Sequence, residues 1–241
     1  MTPRIVLQPS LFSLLKSSSR GSPLSTRTSV GIFALLWCIT VAHGTPTGLN
    51  NIPTADLVPD RTVAVQVFDN LGAGEHDFWT GFKTGLDLPW FNLEWGLDSH
   101  LAPGAAGPLY FQTKVGFVPW ENGKIAVGVA SVALTDHDDA AGPFSYAVLS
   151  QDFGLARCHV GYGLQDHGNT VLLGVDRTVK LWERNINLNA DLVQIHDGEG
   201  WMPAVGLKYD LSKHFVFETW ANLPDEGSAS FMLKLNYVFT Y

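Results

Sequence analysis

From Ser230 to Tyr241 the sequence alternates without a break. Phe231, Leu233, Leu235, Tyr237, Phe239 and Tyr241 fall on one face, and Ser230, Met232, Lys234, Asn236, Val238 and Thr240 on the other. Successive side chains of a β-strand point to opposite faces, so this stretch predicts a strand with one apolar, aromatic side and one largely polar side. Such a strand must cover its apolar face, either against a second sheet in a sandwich or against acyl chains in a barrel that spans a lipid bilayer.

The leader bears on the compartment. Arg4, Lys16, Arg20 and Arg27 precede an apolar run from Val30 to Val41, no acidic residue occurs before position 45, and Ala42-His43-Gly44 ends the stretch on small residues. This reads as an export signal over residues 1–44, with cleavage after Gly44. The apolar run is shorter than the ~20 residues a spanning helix needs. Without the leader 11 basic and 23 acidic residues remain, a net charge of −12, which makes nucleic acid an unfavourable partner. Only Cys158 remains beyond it, so no internal disulfide is expected.

Period-two runs bounded by Gly, Pro, Asn and Asp predict about twelve strands. They fall near 61–69, 77–87, 90–99, 108–118, 124–134, 143–151, 155–165, 170–178, 186–196, 201–210, 214–223 and 229–241. Most approach the ~9–11 residues of a tilted transmembrane strand, and Val179-Lys180-Leu181-Trp182 could extend the eighth. The faces repeat the pattern of the last strand. Leu109, Phe111, Val115 and Phe117 oppose Tyr110, Gln112, Lys114 and Gly116; Val205, Leu207 and Tyr209 oppose Ala204, Gly206, Lys208 and Asp210. Glycine is frequent on the polar face (Gly85, Gly116, Gly174 and Gly206 among others), giving room inside a narrow, curved barrel. Aromatics near strand ends, Phe78, Trp79, Trp90, Phe91, Trp120, Phe144, Trp201, Tyr237 and Tyr241, suit girdles at two membrane interfaces. Alternate links also sort: one set is Gly-rich and acidic, the other mostly shorter and holding Lys180, Arg184 and Lys213.

An aromatic row ending at Tyr237-Val238-Phe239-Thr240-Tyr241 resembles the C-terminal strand of bacterial outer-membrane β-barrels, and the chain beyond the leader is similar to a small barrel of the porin type. The stretch from Thr47 to Thr62 is similar to the start of several such proteins. The resemblance implies an all-β, antiparallel up-and-down barrel over 61–241, a periplasmic segment over 45–60, and residence in the outer membrane of a Gram-negative-type bacterium after export. It also implies as partners outer-membrane lipid and lipopolysaccharide, the barrel-assembly machinery acting on the C-terminal strand, and small polar solutes. Twelve-stranded barrels include channels, a phospholipase and autotransporter translocators, so strand number leaves function open.

The proposed lumen carries both signs: Lys83, Lys114, Arg157, Lys208 and Lys234 against Glu94, Asp98, Asp176, Asp191, Asp210 and Glu218, with His159 and Trp220 on the same faces. Opposite signs on opposite walls would orient a solute in a conducting pore; signs paired across the centre would close it. The first arrangement predicts an outer-membrane channel for passive diffusion of small hydrophilic solutes. The second predicts a closed structural or adhesive barrel. On the proposed outer rim, His76, Asp77, Asp136, His137, Asp138, Asp166, His167, His196 and Asp197 could gather divalent cations, although a solvated acidic rim is the favoured reading of them. No cofactor is expected. The His-x-Ser-Asn-Gly pattern of the outer-membrane phospholipases is absent, and Ser150 stands isolated in sequence, so no enzyme activity is expected.

Overall fold

A computed structural model describes residues 47–72, 77–102, 105–135, 142–165, 168–195, 200–225 and 227–241. Twelve strands follow one another: β1 (Thr62–Leu71), β2 (Asp77–Asp87), β3 (Asn92–Ala102), β4 (Ala105–Trp120), β5 (Gly123–Ala133), β6 (Phe144–Asp152), β7 (Arg157–Gln165), β8 (Gly168–Leu181), β9 (Arg184–Ile195), β10 (Gly200–Asp210), β11 (Phe215–Asn222) and β12 (Ser230–Thr240). Each pairs antiparallel with its neighbour in the chain. The last returns to the first, from Thr62↔Thr240 to Leu71↔Phe231, so the sheet closes with no free edge.

The burial is inverted relative to a soluble domain. Phe231, Leu233, Leu235 and Tyr237 of β12 and Val160, Tyr162 and Leu164 of β7 are exposed on the outer surface, whereas Lys114, Glu94 and Asp98 are 0%, 1% and 2% exposed inside. A sandwich would bury the first group and hydrate the second. Water on the outside would meet a continuous apolar belt; acyl chains are the solvent that this surface fits.

Two strands run longer than their periodicity predicts. β8 continues to Leu181 because Trp182 and Glu183 form a tight turn in which Leu181 pairs with Arg184 and Trp182 adopts a φ of 54°. β4 reaches Trp120 for the same reason, across Glu121 and Asn122 with φ 62° at Asn122. Farther along the β4–β5 ladder Phe111 faces Val132 but Thr113 faces Val129, so β5 carries an extra residue. Ser131 takes up the bulge with a φ of 58°, and Ala130 and Ser131 are both buried inside.

Two aromatics depart from the girdle reading. Trp79 lies inside the barrel, stacked on Phe68 with ring centroids 5.9 Å apart and near Tyr110 at 5.9 Å. It shares the face of Gly81 and Lys83, and in a strand the face outranks nearness to the end. Phe144 likewise packs on inward Tyr146 at 5.6 Å. Phe78, Trp90, Trp120 and Tyr241 are exposed near strand ends, as girdle residues should be.

Candidate functional site in the barrel lumen

Residues 47–60, which the sequence reading set ahead of the barrel, lie within it. Residues 47–54 form a small hairpin, with 55–60 leading from it to β1: Thr54 N–H donates to the Thr47 carbonyl at 3.1 Å, Leu49 N–H to the Ile52 carbonyl at 3.0 Å, and Gly48 bridges to Pro53. Asn50 and Asn51 occupy its turn, a position that suits asparagine. Ile52 is fully buried against Leu49 and Leu172 of β8.

Inward side chains of the wall hold the hairpin by its backbone. Lys114 Nζ donates to the carbonyls of Thr47 (2.8 Å), Thr54 (3.0 Å) and Asp56. Glu94 accepts the N–H groups of Thr47 and Val58, each at 2.7 Å, and the Thr47 hydroxyl. Asp191 accepts the N–H groups of Asn50 (2.8 Å) and Asn51 (2.9 Å), Ser150 Oγ accepts that of Ala55 (2.9 Å), and Lys208 donates to the Gly48 carbonyl. Backbone groups withdrawn from water thus find charged partners, which make the stronger hydrogen bonds. Asp56 anchors the exit of the hairpin, bonding Arg157 Nη1 at 2.5 Å and Lys124 Nζ at 2.6 Å. Burial opposes ionisation of Asp56, but these two cations hold its carboxyl below the ordinary range.

The wall glycines leave the space this hairpin takes. A Cβ on Gly85 would come within 1.8 Å of the Val58 carbonyl oxygen, one on Gly116 within 2.2 Å of Leu57, and one on Gly174 within 2.6 Å of both Ile52 and Leu49. Their absent side chains are therefore specific to this occupant, beyond any general need for curvature.

The lumen charges follow neither of the two arrangements posed from sequence. They pair sideways, between adjacent strands, on directly opposed residues: Glu94 with Lys114 (4.0 Å), Arg157 with Asp176 (2.9 Å), and Glu218 with both Lys208 (3.4 Å) and Lys234 (3.7 Å). Lateral pairing neutralises each wall locally and leaves the axis to the hairpin. Lys83 is buried on the same inner surface, and Asp98 accepts Gln66 Nε2 at 2.5 Å and Gln112 Nε2. Asp210 sits at the end of β10, where it accepts Asn185 Nδ2 at 2.9 Å in an exposed position. Trp220 is buried in an inner cluster with Phe68, Trp79, Ala204 and Met232. Of the rim candidates, His76, Asp136, His137, Asp138, Asp166, His167, His196 and Asp197 lie outside the described residues, as does the side chain of Asp77. Among the described residues no group of three or more potential metal ligands occurs.

No family model matches the sequence, and no curated protein matches it. Solved structures do match in shape. A KdgM porin in complex with disordered oligogalacturonate aligns with TM-score 0.52 and 10% identity over 73% of this chain and 99% of that one. The NanC porin aligns with TM-score 0.50 and 11% identity, over 72% of this chain and 98% of that one. The fold is that of a small outer-membrane porin. Outer membrane phospholipase A from Escherichia coli shares it too, with TM-score 0.51 and 11% identity over 83% of this chain and 94% of that one.

Within this porin fold a Ser–His–Asp string does occur. Ser150 Oγ lies 2.7 Å from His159 Nδ1, and His159 Nε2 lies 2.7 Å from Asp176 Oδ1. The three residues are brought together by register, since Ser150 faces His159 across β6 and β7, while Asp176 sits one strand further on. Sequence reasoning passed over this because Ser150 has no local motif. The string ends on the hairpin: Ser150 receives the Ala55 N–H, and Arg157 ties Asp176 to Asp56. Through these bonds it ties residues 55 and 56 to the wall.

Proposed function

We propose that this chain is an outer-membrane channel for small hydrophilic solutes, whose passage is controlled by residues 47–60, the hairpin with its lead to β1. The observation that carries this reading is the lateral pairing of lumen charges. Because Glu94 and Lys114, Arg157 and Asp176, and Glu218 with Lys208 and Lys234 pair between adjacent strands, removal of the hairpin would leave these ions partnered along the walls of a polar bore rather than a row of unpaired ions across the pore. The apolar outer belt, the closed sheet and the shape shared with porins support residence in lipid. In this reading the acyl chains and lipopolysaccharide of the outer membrane surround the barrel, and β12, with its outward aromatic row, is the strand offered to the assembly machinery.

The density of charged hydrogen bonds to the hairpin favours a second reading, a barrel that stays closed and serves as an anchor or adhesin through its acidic loops. Planar-bilayer recordings of the mature protein and of a variant lacking residues 45–58 separate the two. A channel gives small or intermittent steps that become large and steady in the deletion variant. A folded deletion variant that conducts no better than the intact protein would refute hairpin control and leave the closed barrel.

A further inference from the structure

A cavity of about 160 Å³ lies beside the hairpin, with Gly48 to Asn50 on one side and inward residues of β1, β2, β10, β11 and β12 on the other. Each ammonium group at its border stands beside a carboxylate. Lys208 and Lys234 lie 3.4 Å and 3.7 Å from Glu218, and Lys83 faces Gly96, which Glu94 and Asp98 flank on the inner face of β3. A charged ligand would bring an unbalanced ion onto this surface. The occupant that fits is neutral.

The hydrogen-bonding groups left over are of both kinds. Asn50 Nδ2 and Trp220 Nε1, donors on two lining residues more than nine-tenths buried, have no acceptor among the described residues. Orphaned buried donors are rare in native structures and call for a partner from outside the chain. The acceptors are Gln66 and Asn236, which also line the cavity. Gln66 gives Nε2 to Asp98 at 2.5 Å and Asn236 gives Nδ2 to Glu218 at 2.7 Å. A carboxylate only accepts, so these bonds fix which end of each amide is nitrogen and leave each oxygen as an acceptor. Among the described residues nothing donates to those two oxygens. A hydroxyl group serves both needs, since it donates once and accepts twice.

We propose that this cavity is a binding site for a neutral, polyhydroxylated solute the size of one sugar ring. Its hydroxyl groups accept from Asn50 and Trp220 and donate to the amide oxygens of Gln66 and Asn236, while its C–H surface lies against Phe68, Val216 and Val238, the apolar part of the lining. Cavities of about this size take a single six-membered ring. The assignment deepens the channel reading and rests on it for the entry of solute into the lumen. Binding is read in detergent and conduction in a bilayer, so the two fail separately: a protein that conducts but binds no sugar loses this site alone, and one that binds sugar in silence loses the channel alone.

The test is titration of the folded mature protein in micelles with glucose and with sodium glucuronate, the same ring bearing a carboxylate, at one ionic strength. Calorimetry reads the affinity and the indole N–H resonance of Trp220, identified by its loss in Trp220→Phe, reads the place. Saturable glucose binding that moves this resonance is expected, with glucuronate weaker by about tenfold or more. Trp220→Phe removes one donor and keeps an aromatic ring in the cluster; Asn50→Ala removes the other and keeps the backbone bond from residue 50 to Asp191. Each should weaken glucose by about three- to tenfold with gel heat-modifiability unchanged. The proposal is overturned by the absence of saturable glucose binding, which would leave water as the occupant, by glucuronate binding as tightly as glucose, or by glucose binding that neither moves the Trp220 resonance nor responds to either variant.

Discussion

Lys114→Met is the sharpest probe of the hairpin. The ammonium is fully buried, donates to the Thr47, Thr54 and Asp56 carbonyls and faces Glu94 at 4.0 Å, so the substitution keeps much of the bulk and removes every one of these interactions. Breaking a buried ion pair from one side costs about 3–5 kcal/mol, because the remaining charge and carbonyls stay desolvated and unmatched. Those groups regain water only if the hairpin leaves, so the cost falls on the docked state and shifts docking by roughly 10²- to 10⁴-fold. Amide exchange reads this directly: the N–H groups of Asn50, Asn51, Ala55 and Val58, all bonded to wall side chains, should exchange faster by that factor, up to the intrinsic limit. Strand amides should be unchanged and bilayer conductance should rise. A variant that is heat-modifiable on gels yet shows wild-type exchange at these four amides would refute the account of Lys114 as the principal tether.

Four further outcomes are expected. Gly174→Val should expel the hairpin tip, since even a Cβ there meets Ile52 and Leu49 at 2.6 Å; trypsin should then cleave after Arg61 more readily than in wild type. Ile52→Ala, at a fully buried position, should weaken docking by about 2–5 kcal/mol and raise the same amide exchange without altering barrel assembly. Acid should release the hairpin in part through Asp56, whose carboxyl is held below its unfolded value of about 3.9: that stabilisation is complete above this value and is lost as the pH falls through the lower folded one. Conductance should therefore rise below about pH 4, and Asp56→Asn should show higher conductance at neutral pH with a flatter acid response. Val205→Arg, on the exposed outer face of β10, should cost about 2–4 kcal/mol if the site lies near the bilayer midplane, read as a lower urea midpoint for unfolding from lipid vesicles.

What could be read from sequence and what could not divide along a physical line. The period of two is a local property, and lipid outside with largely polar groups inside enforces it along most of β7, β10 and β12; strand number, faces and most of the lumen residues follow from it. The hairpin has no period to read. Much of what holds Thr47 to Asp60 lies far off in the sequence, Val58 being held by Glu94 36 positions away and Asn50 by Asp191 141 positions away, and no local pattern encodes such pairings. Ser150, His159 and Asp176 stayed apart in the sequence for the same reason, being joined by register across three strands. Yet a trace of the hairpin was present. Gly85, Gly116 and Gly174 interrupt polar inner faces where lysine, glutamate or threonine would have satisfied a wet bore, and curvature alone gives no reason for those positions over others. Each lies against a particular atom of the hairpin, at Val58, Leu57 or Ile52. Side chains missing from a barrel wall thus record the shape of what the lumen holds.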